Sequence, residues 1–297
     1  MRDVSIGSSG ATLAGSLWMP AHASKCCVVM VGGSGPSDRN NDVFFPPVRE
    51  HLIDRGSAVL SYDKRGVGGS TGSWVAASID DFAADALAAY EFCRATGLNN
   101  VGFFGHSEGG WVVLRAADRC AELAFVVTNS TPGMTPAVQD RYAVEFAMRA
   151  AGEPDEAITS ALALYDDLVE RARADVPFEV VAARLRSQPK LTAYFGDPTE
   201  DDWRSIGPKL DHDPYRDIAG LTCPQLALFG ALDPLVPVPP SVEITTRAAA
   251  ERANPRATLT IAVFPGADHR MATSADALAQ GYLETITSWL DTVMDAS

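Results

Sequence analysis

The chain has 297 residues, 46% hydrophobic and 21% charged, a balance that excludes wholesale disorder. Its formal net charge is −14, so it lacks the Lys/Arg excess that nucleic acid or an anionic membrane surface demands. No apolar run approaches the ~18 residues of a membrane span, and no basic-then-apolar leader opens the chain.

Residues 4–6 and 12–18 read as two strands of a hairpin, joined by the Gly7-Ser8-Ser9-Gly10 turn. Residues 26–31 are apolar without alternation, as in a strand buried on both faces. Gly32-Gly33-Ser34-Gly35-Pro36 ends it. Helical spacing follows over 43–55, with Gly56 as the stop. Strands at 57–62, 101–104 and 124–128 then alternate with helices at 79–94 and 109–118. That rhythm predicts a parallel sheet with helices on both faces. It breaks between about 132 and 217. Helices are expected there at 139–151, 156–174 and 178–186, and Pro189, Pro198, Pro208 and Pro214 punctuate the rest. Strands at 225–229 and 259–264 resume the sheet around a helix at 241–252, and a last helix spans 275–293. The expected organisation is one α/β core, residues 1–131 and 218–297, carrying a helical insertion at 132–217.

Cys26, Cys27, Cys93, Cys120 and Cys223 are odd in number and form no C-x-x-C pair. They read as buried small hydrophobes in a reducing compartment, hence a cytoplasmic location. Cys26 and Cys27, adjacent in a strand, are expected on opposite faces.

Chemistry concentrates at Gly105-His106-Ser107-Glu108-Gly109, where a strand gives way to a helix. A serine hydroxyl needs a neighbouring base to become a nucleophile. A tight strand-to-helix turn exposes its oxygen, flanking glycines relieve the crowding, and the pattern is G-x-S-x-G. A base and an orienting acid are expected further along. Asp233 and His269 each lie just past a strand, at the carboxyl edge where α/β sites form. His269 is the expected general base and Asp233 its orienting carboxylate. The backbone N–H groups of Ser34 and Glu108 are the expected oxyanion donors. Asp268 adjoins His269 but is expected to face elsewhere. His22, His51 and His106 are read as loop or packing residues, and His212 as a solvated loop residue.

These segments, with Gly32–Arg39, Tyr62–Ser70, Gly230–Asp233 and Gly266–His269, resemble the α/β-hydrolase superfamily, most of all its serine esterase, monoglyceride-lipase and serine-aminopeptidase-like branch. The resemblance implies an eight-stranded, mostly parallel sheet, with a helical cap between strands six and seven. It also implies that Asp63 and Arg65 tie loops together beneath the site. Two positions depart from the common pattern. Gly32 stands where many relatives carry histidine, and Glu108 where others have glutamine, methionine or leucine. A serine at 107 argues against the aspartate-nucleophile dehalogenases and epoxide hydrolases. Some serine-bearing members are receptors, lyases or cyclases.

The insertion carries Tyr142, Phe146, Tyr165, Tyr194, Phe195, Trp203 and Tyr215. Tyr142 and Phe146 share a helical face, and with Trp203 they are the expected substrate contacts. The acid clusters Asp166-Asp167, Glu200-Asp201-Asp202 and Asp211/Asp213 are read as solvated faces. The expected activity is hydrolysis of a carboxylic ester of a small or medium apolar substrate, with amide or thioester cleavage as the alternative. No metal or organic cofactor is expected, nor a nucleic-acid or membrane partner. The expected partners are a small-molecule substrate and, at most, a second copy of the chain.

Overall fold

A computed structural model describes residues 1–42, 44–188, 194, 198–275 and 277–296. Strands β1 (Arg2–Ser8) and β2 (Ala11–Trp18) form an antiparallel hairpin. β3 (Cys27–Val31), β4 (Ala58–Tyr62), β5 (Val101–His106) and β6 (Val126–Asn129) follow, then β7 (Gln225–Gly230) and β8 (Leu259–Phe264). They make one sheet in the order β1-β2-β4-β3-β5-β6-β7-β8. β2 pairs antiparallel with β4, and every pairing from β4 to β8 is parallel.

The parallel strands are apolar throughout because both faces are covered. Cys27, Val29 and Val31 pack into one core with α2 (Ile79–Ala95) and α3 (Glu108–Ala117). Cys26, Val28 and Met30 face the opposite core with α1 (Phe45–Asp54) and α10 (Tyr282–Asp295). The two adjacent cysteines thus enter different cores, and all five cysteines are free and buried. The chain leaves β3 for β4 on one side and reaches β5 on the other. The carboxyl ends of β3 and β5 therefore border a switch point, where a crevice opens.

Between β6 and β7 run α4 (Pro136–Ala150), α5 (Asp155–Arg173), α6 (Phe178–Arg186), α7 (Glu200–Ile206) and α8 (Pro214–Gly220). Val144, Met148, Ile158, Leu164, Val181 and Trp203 belong to a core separate from those on the sheet. α7 and α8 were not expected, because their prolines read as breaks. Pro214 instead occupies the first turn of α8, where its missing N–H costs nothing. A reciprocal Thr199/Asp202 capping box starts α7.

After β8, α9 (Val238–Ala249) having crossed back from β7, the C-terminal segment corrects an expectation. Helix was expected from 275. The chain instead forms a small hairpin of β9 (Ala272–Ser274) and β10 (Ala277–Leu278), and helix begins only at Tyr282. Gly281 sits at φ 78°, a left-handed conformation that ends the hairpin and aims the helix. The alanine-rich composition of 275–279 favoured helix, and strand pairing overrode it. Among the described residues no helix is long and apolar enough to cross a membrane.

Candidate active site

Ser107 follows the last residue of β5 and caps α3 at φ 53°, ψ −122°. A non-glycine residue reaches that region only when its surroundings impose it. Here the imposition is steric: helix and strand meet with no room between them. A methyl group on Gly105 would lie 2.2 Å from the Gly109 carbonyl oxygen, and one on Gly109 would lie 2.3 Å from that of Val31. The glycines let α3 start directly behind the serine.

Asp233 lies three residues past β7 and is 2% exposed. Its Oδ1 accepts the N–H groups of Leu235 (2.8 Å) and Val236 (3.0 Å), and its Oδ2 meets His269 Nδ1 at 2.8 Å. One oxygen anchors the carboxylate to its own loop, and the other is left for the imidazole. Asp268 is turned away, accepting the N–H groups of Arg270 and Ala272. The His269 ring lies 4.9 Å from the ring of His106, the neighbour of Ser107. Among the described residues, no hydrogen bond joins Ser107 Oγ to His269.

His106 is structural in its surroundings. Tyr282 donates to Asn129 Oδ1 (2.8 Å), which turns the Asn129 amide N–H toward His106 Nδ1 (3.1 Å). Phe44 packs on the ring at 4.4 Å. Burial, with His269 nearby, holds this imidazole well below the usual histidine range, so it stays neutral.

The loop after β3 lies against the same turn. A methyl group on Gly33 would meet Ser107 Cβ at 3.4 Å. Ser34 is exposed beside it, and Ser34, Gly35, Glu108, Trp111 and Lys209 help line a cavity of about 360 Å³. Asp140 and Ile206 line it too, and both also line a second cavity of about 350 Å³ among the helices of the insertion. Val144, Leu168, Val181, Trp203 and Leu235 make that second cavity chiefly apolar. Leu235 is two residues from Asp233. Asp140 is exposed on the concave wall that the two cavities share, within range of the Lys209 charge.

The side chain of Glu108, for which the sequence offers no reason, is 3% exposed and doubly paired. Lys64 Nζ lies 3.0 Å from Oε1 and Lys209 Nζ 2.8 Å from Oε2. The chain has only four lysines, Lys25, Lys64, Lys190 and Lys209, and two of them converge on this carboxylate. Burial would raise the Glu108 carboxyl, but the two ammonium groups outweigh it and hold it at about 2. Sequence reading missed both lysines. Lys64 stood unremarked between Asp63 and Arg65, and Lys209 beside Pro208. Asp63 and Arg65 do tie segments together: Asp63 takes Arg39 and the Gly69 N–H, and Arg65 forks onto Asp85.

The remaining expected residues scatter. Tyr142 and Phe146 stack at 5.8 Å on α4, and Phe146 is 37% exposed. Among the described residues neither lines the two cavities, whereas Trp203 lines the apolar one and donates to the Val176 carbonyl (2.8 Å). Phe195 lies outside the described residues. Asp166, Asp167 and Asp211 pair with Arg141, Arg171 and Arg173 at the surface. His212 is not a solvated loop residue. Its side chain is 14% exposed, its buried Nε2 lies 3.5 Å from Asp217 Oδ2 with no hydrogen-bond partner among the described residues, and burial lowers its pKa to about 4.

An eight-stranded, mostly parallel sheet with a serine at the β5–α3 turn, an acid past β7 and a histidine past β8 defines the α/β-hydrolase fold class. The chain belongs to the alpha/beta hydrolase family, whose model matches residues 28–280. Membership supports a hydrolase in general. Solved structures share the fold at low identity. An esterase from Pyrococcus furiosus matches with TM-score 0.64 and 19% identity, covering 99% of this chain and 90% of the other. A proline iminopeptidase from Mycobacterium smegmatis matches with TM-score 0.67 and 17% identity over 99% of each chain. A thermophilic esterase from Thermogutta terrifontis matches with TM-score 0.62 and 20% identity over 99% and 100%. Comparison with curated protein sequences finds no match.

Proposed function

We propose that the protein is a serine hydrolase that cleaves carboxylic esters of small or medium apolar substrates through an acyl-enzyme. The observation that carries this reading is the 2.8 Å Asp233–His269 contact beside the strained Ser107 turn. Ser107 Oγ attacks the ester carbonyl carbon, and His269 Nε2 takes its proton. Catalytic hydrogen bonds commonly tighten only with substrate bound, and the Ser107–His269 contact forms in that complex. Asp233 holds the imidazole tautomer and stabilises the imidazolium. The Ser34 and Glu108 N–H groups receive the tetrahedral oxyanion. His269 returns the proton to the leaving alkoxide, takes one from the water that attacks the acyl carbon, and passes it to Ser107 Oγ as the acid departs.

Residues 132–217, helices α4–α7 and the start of α8, act as a cap in this reading. Their apolar cavity would take the acyl or alkyl chain, with Leu235 at the boundary to the catalytic loops. Amide cleavage of an amine-bearing substrate is the second reading, favoured by Asp140 and Asp202 on the cavity shared with Ser34.

The test is a fluorophosphonate probe with turnover of p-nitrophenyl esters and aminoacyl anilides. Covalent mass on Ser107 is expected, with ester turnover reduced about 10³-fold or more in Ser107→Ala and His269→Ala. An unlabelled wild type, or near-normal rates in both variants, would falsify the reading. Faster anilide than ester turnover would select the second.

A further inference from the structure

Lys64 lies 7% exposed at the exit of β4, with Nζ 4.9 Å from the centre of the Phe82 ring. Besides Glu108, that nitrogen donates to the Gly33 carbonyl oxygen at 2.5 Å. The Gly33 C=O and the Ser34 N–H belong to one peptide unit. The unit is trans, so the two bonds point in opposite directions. A cation held on the oxygen therefore fixes the aim of the N–H. It also draws electron density toward the oxygen and leaves the N–H a stronger donor. The same ammonium grips the side chain of Glu108, whose own N–H, the first of α3, has no helical acceptor. One lysine thus touches both segments that carry the expected oxyanion donors.

The charge arrangement points the same way. A lone carboxylate one residue from the nucleophile would oppose a developing oxyanion. Each Glu108 carboxylate oxygen is paired with an ammonium instead, one from Lys64 and one from Lys209. Lys209 arrives from the α7–α8 connection, so the cap segment completes the neutralisation. A compact ammonium with three donors suits two acceptors and an aromatic face better than a planar guanidinium would.

We propose that Lys64 is the positioning residue of the oxyanion site: it aims and polarises the Gly33–Ser34 peptide and pins Glu108, with Lys209 neutralising the second carboxylate oxygen. This rests on the serine-hydrolase reading of Ser107. The test measures kcat and KM for p-nitrophenyl butyrate and the inhibition constant of phenylboronic acid, whose serine adduct is tetrahedral and anionic. The variants are Lys64→Met and the double Lys64→Met/Glu108→Gln, which removes the ammonium without leaving the carboxylate half-paired. Loss of one oxyanion donor costs roughly 10²–10³ in rate, so a disordered and depolarised one should cost at least about tenfold. Expected in each folded variant is a fall in kcat of about tenfold or more, KM within about threefold, and a parallel weakening of boronate binding. A smaller fall in kcat, a change confined to KM, or unaltered boronate affinity overturns the role. A wild type that takes no fluorophosphonate label overturns the hydrolase reading itself, and this role with it.

Discussion

Glu108 is charged, buried and one residue from Ser107, and two lysines make that tolerable. Its carboxyl is held at about 2, below the 4.5 of a free glutamate. The unfolded chain therefore takes up the proton first as pH falls. The stabilisation is fully present above about 4.5 and is lost progressively as pH falls toward 2. Replacing Glu108 with glutamine strands two ammonium groups in a buried site, where an uncompensated charge typically costs about 3–5 kcal/mol. The Tm gap between wild type and Glu108→Gln should be widest above pH 4.5 and shrink by pH 3. A gap that widens on acidification would contradict the pairing. None of this was legible in the sequence, because Lys64 and Lys209 are 44 and 101 residues from Glu108 and no local pattern links them.

At the scale of elements, the β5–α3 junction works because two glycines remove side chains where backbones collide. Gly109→Ala would place a methyl group 2.3 Å from the Val31 oxygen and 2.6 Å from that of Gly32. Neither can yield without moving the loop that carries Gly33 and Ser34. A loss of about 1–3 kcal/mol or more is expected from such overpacking, read from the urea midpoint. An unchanged midpoint would mean the helix can slide. The Arg65–Asp85 fork joins the β4 exit to α2, with Asp85 1% exposed. Asp85→Ala leaves the guanidinium without its buried partner, and about 3–5 kcal/mol of stability should go. A cost under about 1 kcal/mol would show the fork to be incidental. The glycines were readable as a spaced motif. The fork was readable only as an expectation that Arg65 was structural, since its partner lies 20 residues on in another element.

For the molecule as a whole, the helices between β6 and β7 pack on a core of their own and meet the sheet side through several polar contacts, Arg115–Asp217 and Trp111–Pro132 among them. Lys209 reaches Glu108, and Gln139 Nε2 donates to the Leu235 carbonyl at 2.8 Å. If the apolar cavity of about 350 Å³ takes the substrate chain, filling it should act on chain length and not on chemistry. Ala143 is half-buried on the cavity wall, so a larger side chain there takes up cavity space. Ala143→Phe is expected to lower kcat/KM for p-nitrophenyl octanoate at least about tenfold relative to the acetate, since a few lost methylene contacts are worth ~1–3 kcal/mol. Equal effects on both esters would place the acyl chain elsewhere.

Sequence alone determined the order and type of the strands and the placing of Ser107, Asp233 and His269 just past three of them. Those are local properties: an apolar run of strand length, a glycine pair, a turn. It also placed helices at 139–151, 156–174 and 178–186, where α4, α5 and α6 lie. It did not reach the hairpin at 272–278, where pairing overcame helical composition, or the burial of His212. Above all it could not say why a glutamate follows Ser107. Only the tertiary structure brings two of four lysines onto that carboxylate, because a buried ion pair is a statement about which distant segments meet, and charge leaves no periodic trace along the chain.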